Sequence, residues 1–428
     1  MDGTDRLTAL FVRSRPNTVL SWLFVAVLVG SGLFGAQTGR YEPVLFALLA
    51  IAIVAGPAVA LRDPELLPPW YFLALICLPV VAGALIPRAP VKAFFPTLAL
   101  ATLGLLAMVE LQLLTTLRLV PWFAVALTVL LTLALAAVLN VLRWSADVLL
   151  GTSFLLDGRS QNAINAAVMV EFVQVVVAGV VAGVVFREYF RRTTDHPDAR
   201  MKISLPAEDE TPAESAVISD RLGVSATRQR QLVRAMQVVL VGTLAYGVGA
   251  RRLPLLINAG VALAITFLPA VLERDYGIPI EPGLALWLTS AVFFHAIGSA
   301  GLYTLIPSWD TLTHTLSATV VAAAGYTAFR AIHIHADSVH LPPWATFSLT
   351  VVFVLAMGVV WELLEFFVDR SARLLGLDTV PAQHGIDDTI VDLVFDGVGA
   401  VLVAAWGTVY LTNIAERLAV LLENEYGD

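Results

Sequence analysis

Apolar residues run through this chain in blocks close to a membrane's width, separated by short polar breaks. Leu, Ala and Val fill the blocks without the alternation a barrel strand requires, so the blocks read as helices. A helical stretch of about 20 residues covers the hydrocarbon core of a bilayer. The pattern predicts about twelve spans, at 18–38, 43–61, 68–87, 96–116, 121–142, 166–187, 233–250, 254–272, 284–304, 311–330, 344–368 and 388–411. Between the sixth and seventh, residues 188–230 are polar, with Arg191-Arg192, Pro206, Glu208-Asp209-Glu210 and Pro212. That composition cannot bury a core and reads as a linker. Ser225 predicts the cap of a short helix over Thr227–Met236 that leads into the second half. The expected fold class is an all-α polytopic transmembrane bundle in two six-helix halves. An N-terminal six-span module covers 1–187, a polar acidic cytoplasmic linker 188–231, a second six-span domain 232–412 and a tail 413–428.

Composition agrees with the pattern. Of 428 residues, 58% are hydrophobic and 14% charged, where a soluble domain carries roughly a quarter charged. The lone Cys77 sits inside an apolar block, which excludes disulfides, a cysteine zinc site and thiol chemistry. Net charge is −8, and no basic stripe stands outside the membrane flanks. Nucleic acid is therefore excluded as a partner, and membrane lipids are expected instead. The polar start, Met1–Pro16 with Arg6, Arg13 and Arg15, precedes a full-length block and does not read as a cleavable signal. Arginines there and in the linker predict a multi-pass cell-membrane protein with both termini cytoplasmic. Arg88, Lys92 and Arg251-Arg252 fall on the opposite loops.

Ionisable side chains cost at least ~2.5 kcal/mol each at bilayer depth on insertion scales, so each needs a partner or a role. The first half holds few: Glu110 with Gln112 in the fourth span, and Glu171 with Gln174 in the sixth. They read as interhelical hydrogen bonding, with proton carriage by Glu110 as the alternative. The second half concentrates acids and imidazoles at helical spacing. His295 lies in the ninth span, with Tyr303 eight residues on, and Asp310 and His314 stand one turn apart at the start of the tenth. Glu362, Glu365 and Asp369 share a face near the end of the eleventh, while Asp388, Asp392 and Asp396 stack in the twelfth. In an antiparallel bundle these turns lie near one membrane face. Asp310, His314, Glu362, Glu365, Asp388 and Asp392 then converge, with His295 deeper as a floor.

Five or more carboxylates in a low dielectric need protons or cations. This stretch has no lysine, and the nearest arginines, Arg370 and Arg373, lie beyond the eleventh span. A divalent metal ion (Mg, Mn, Fe or Zn) is the economical counter-charge for carboxylates with imidazole. His295, His314, Glu362, Glu365 and Asp388 are its expected ligands. Asp310 and Asp392 serve as general base or as groups that orient a ligand. A metal-activated water would then support hydrolysis or transfer on a lipid-type headgroup. The same residues also suit a cation- or proton-coupled transporter, or a scaffold in which Arg370 and Arg373 pair with Asp369. Asp369 and Asp387 fit helix caps or water-facing positions, and Asp396 fits a bond to a neighbouring span. His333, His335 and His340 read as a solvated loop, and the Gly179/Gly183 and Gly397/Gly399 pairs as close-packing positions.

Four motifs stand in order: His295-x-Ile-Gly298 with Tyr303, Asp310-x-Leu-x-His314, Glu362-x-x-Glu365-Phe, and Gly385-x-x-Asp388-x-x-x-Asp392 running to Gly399-Ala400. With Asn258 they resemble the YjdF-like family of integral membrane proteins, over about residues 232–411. That family has no assigned function, so the resemblance implies the fold and the residue list, not a reaction. It also implies a His two residues before Asp310 and a basic residue after it, where this chain has Ser308 and Thr311. The first half lies outside the resemblance and reads as an added module.

Overall fold

The computed structural model describes residues 15–39, 42–60, 62–85, 94–114, 121–192, 224–277, 280–306, 308–335, 341–376 and 383–410. Every element among them is helical, and a helix stands at each of the twelve expected positions. Among the described residues, seven helical stretches are long and apolar enough to cross a membrane, and three more are apolar but shorter. Most of the linker, the N-terminal segment and the C-terminal tail lie outside the described residues.

The chain divides into two compact units. The first holds α1 (Arg15–Gln37), α2 (Glu42–Val54), α3 (Gly56–Ala60), α4 (Trp70–Leu85), α5 (Phe94–Leu114), α6 (Pro121–Leu150) and α7 (Gln161–Arg192). Its centre is the antiparallel trio α5, α6 and α7. Small residues let these helices close up: a Cβ on Gly183 of α7 would meet Val125 of α6 at 3.0 Å. Leu100, Leu103, Met108, Leu127, Leu133 and Phe172 fill the contact and are almost fully buried. Helix α6 runs past its expected end at 142, which brings Arg143 and Asp147 into it. Arg143 pairs with Glu171 of α7 at 3.3 Å. The Asp147 carboxylate accepts hydrogen bonds from the Thr152 hydroxyl and from the amides of Phe154, Leu155 and Leu156, fastening the turn that follows the helix. The expected second span is two helices, interrupted at Ala55. Pro57 explains the interruption, because it has no amide hydrogen for the Ile53 carbonyl.

The second unit holds α8 (Ala226–Ala250), α9 (Leu253–Ile265), α10 (Leu268–Tyr276), α11 (Pro282–Ile297), α12 (Trp309–His335), α13 (Pro343–Leu374) and most of α14 (Ile386–Tyr410). The first turn of α14, residues 385–390, belongs to the first unit. Helix α8 is one unbroken rod from Ala226, not a short helix followed by a span, and the Ser225 side chain makes no capping bond. The expected eighth span breaks at Thr266–Phe267 into α9 and α10, with Pro269 starting the second piece. Helix α11 passes into a π-helical turn at Gly298–Leu302, followed by a helical turn at Tyr303–Leu305. Apolar cores form around Ala318, Ala322, Val354 and Ala400, and around Leu240, Ala262 and Ala296. A Cβ on Gly399 would lie 2.7 Å from the Thr315 carbonyl, so α14 and α12 touch backbone to backbone.

Candidate functional site

The acids and imidazoles singled out in the second unit stand on α11, α12, α13 and α14. Asp310 sits in the first turn of α12, where the exposed amides favour a negative charge, and His314 stands one turn on. His314 is buried, and its Nε2 lies 3.8 Å from Asp310 and 3.7 Å from Asp392 of α14. Its Nδ1 faces Asp396 at 3.5 Å. The first two distances are too long for hydrogen bonds. They approach the spacing of donor atoms that share one ion with bonds of ~2.1 Å. One donor atom from each of Asp310, His314 and Asp392 falls within 4.8 Å of the other two. Asp392 and Asp396 lie one turn apart and reach opposite nitrogens of the same imidazole.

Around this centre stands a second set of groups. Glu362 of α13 is 2% exposed and accepts a hydrogen bond from the Gln383 side chain at 2.7 Å. The same amide also donates to the Glu362 carbonyl at 2.8 Å, and the Gln383 backbone donates to Asp369 at 3.3 Å. Glu365 accepts from the Trp361 indole at 3.0 Å. The π-helical turn presses the Tyr303 ring onto Gly298, where a Cβ would meet it at 2.5 Å. The Tyr303 hydroxyl thereby reaches His295 Nδ1 at 2.7 Å and Thr313 at 3.3 Å. Trp361 packs edge-on against the same imidazole, with ring centroids 5.0 Å apart. His295 thus joins the Tyr303–Trp361 side rather than the Asp310–His314–Asp392 group. Asn258 donates to Ser299 in the π-helical turn at 2.8 Å.

The other acids and imidazoles have surroundings of their own. Asp388 is half-buried on the turn of α14 that belongs to the first unit. There its neighbour Asp387 accepts from the Trp144 indole at 2.7 Å and the Gln161 amide at 2.8 Å. Arg373 donates to the Asp369 backbone carbonyl at 3.2 Å. His333 accepts the Leu341 amide at 3.0 Å. Sequence reasoning missed Gln383, which lies outside any helix and so has no periodicity to mark it.

A family of predicted membrane proteins, DUF2238, matches residues 232–413. Its second half places this chain in that YjdF-like family. The DUF2238 half holds every group of the cluster. Residues 5–67 match a domain of unknown function, DUF8268. An uncharacterised protein of Thermotoga maritima is 31% identical over 140 residues, 32% of this chain and 68% of the relative. No solved structure matches the chain.

Proposed function

We propose that the DUF2238 half is a metal-dependent membrane enzyme that hydrolyses or transfers a lipid-type substrate. Asp310, His314 and Asp392 hold the divalent ion, a set narrower than the sequence suggests. The reading rests on one observation, the approach of their three donor atoms to one another. Two carboxylates and an imidazole suit Mg, Mn, Fe or Zn, and three protein ligands leave a position open for water. Asp396 on Nδ1 would fix the ring so that Nε2 faces the ion, the usual way an outer carboxylate orients a histidine ligand. When bound, the ion lowers the pKa of a coordinated water and so generates a nucleophile. Glu365 or Glu362 would accept the proton, Glu362 being held by Gln383. The same reading takes the protein as a cell-membrane chain of twelve spans in two halves, both termini cytoplasmic, with lipids as its partners.

The test is metal analysis of the purified full chain in lipid nanodiscs. We expect a stoichiometric divalent metal in the wild type and its loss in a His314→Gln, Asp392→Asn double variant. A metal-free wild type, after supplementation with each of the four ions, refutes the ligand set. Release of headgroups from native lipid extract then tests catalysis. Metal-gradient flux through proteoliposomes without any release would identify transport instead.

A further inference from the structure

We propose that the first unit holds an ion site of its own, in which Glu110 and the interrupted helix at Val54–Pro57 bind a small monovalent cation of the Na⁺ type. Glu110 lies in α5, 8% exposed, and its Oε1 is buried with no hydrogen-bond partner. Its Oε2 rests against Gly56, 3.7 Å from where a Cβ would stand, so the carboxylate points into the gap between α2 and α3. Backbone carbonyls of α2 end at the same break. Helix α2 ends at Val54, and its last carbonyls carry the negative end of the helix dipole. Pro57 also deprives the Ile53 carbonyl of its usual donor.

A carboxylate facing a helix C-terminus in an apolar core is doubly unfavourable unless a positive charge lies between them. Among the described side chains of this unit, Arg143 pairs with Glu171 and Arg159 with Asp157, while Arg62 and Arg187 are exposed. A single negative charge among carbonyl oxygens matches a hard monovalent ion. Broken helices that bind Na⁺ in membranes use the same pairing of free carbonyls with a side-chain oxygen. This site shares no residue with the metal cluster of the second unit, and either can fail alone.

The experiment treats the full chain in nanodiscs with dicyclohexylcarbodiimide, an apolar reagent that adds to buried carboxyls. Peptide mass spectrometry then locates the adduct, in NaCl or in choline chloride of equal ionic strength. We expect Glu110 to be modified roughly tenfold more slowly once Na⁺ stands about ten times above its dissociation constant. Acids of the second unit, in the same sample, should show no Na⁺ protection. A Na⁺-dependent rise in melting temperature should accompany this and vanish in Glu110→Gln. Equal labelling of Glu110 in Na⁺ and choline overturns the proposal and leaves Glu110 a proton carrier or a packing residue. So does a melting shift that survives in Glu110→Gln. Should that variant not fold, wild-type labelling decides alone.

Discussion

Asp396 reaches His314 because position 358 on the facing helix α13 has no side chain. A Cβ there would lie 2.5 Å from the Asp396 carboxylate and 3.0 Å from Leu393. In an exposed helix, replacing Gly by Ala usually stabilises by up to about 1 kcal/mol. Gly358→Ala should do the opposite, because it pushes the orienting carboxylate off the imidazole. We expect it to weaken metal affinity about 10–100-fold, the range seen when such a partner is lost, as read by titration calorimetry. Gln383→Ala removes one hydrogen-bond donor from the buried Glu362 carboxylate. It should cost about 1–3 kcal/mol, measured as a lower midpoint in denaturant. Gln383→Glu should cost more, since it sets two acids against each other. The pair Asp310/His314 and the stack Asp392/Asp396 were legible because helical spacing advertises them. Gly358 and Gln383 were not. A missing side chain and a loop amide acquire meaning only from what packs against them.

The π-helical turn shows what an element adds beyond its residues. His295 and Tyr303 are eight positions apart, about 12 Å along a regular helix. Their 2.7 Å hydrogen bond requires the tyrosine to fold back toward the helix start. The wide turn supplies this, with Gly301 at φ 145°, a conformation side chains rarely adopt, and with Gly298 leaving room for the ring. Gly298→Ala should therefore cost about 1–3 kcal/mol by overpacking. Gly242→Ala in α8, where nothing lies within 4 Å, should be neutral or mildly stabilising. Melting temperatures of the two variants in one detergent check this; equal values would deny the turn its role. Hydropathy placed the helices but not their interruptions. A sliding apolar count runs through Ala55, Thr266 and Gly298 alike, although Pro57 and Pro269 marked two of the breaks. The π-helical turn carried no proline at all.

At the scale of the whole molecule, the question is which helices cross the bilayer. Length alone does not decide. Helix α4, with 16 residues, spans about 24 Å, short of a hydrocarbon core of about 30 Å. Helix α12 has 27 residues and ample length, yet carries Asp310, His314 and Arg330. Crossing by α12 is physically acceptable if its polar groups avoid lipid, and His314 is buried and Asp310 half-buried. A twelve-span arrangement requires the helix to cross, with its ends on opposite sides. Cysteine accessibility tests this cleanly, because Cys77 is fully buried and donates to the Phe24 carbonyl at 3.7 Å. The wild-type chain should then resist a membrane-impermeant maleimide and serve as its own blank. Ser308→Cys, before α12, and Pro342→Cys, before α13, should be labelled from opposite sides of oriented vesicles. The side that exposes position 308 is also the side from which the first turn of α12, with Asp310, is approached. Labelling of both from one side would turn α12 into a helix that enters and does not cross, and a substrate would have to reach His314 from within the bilayer.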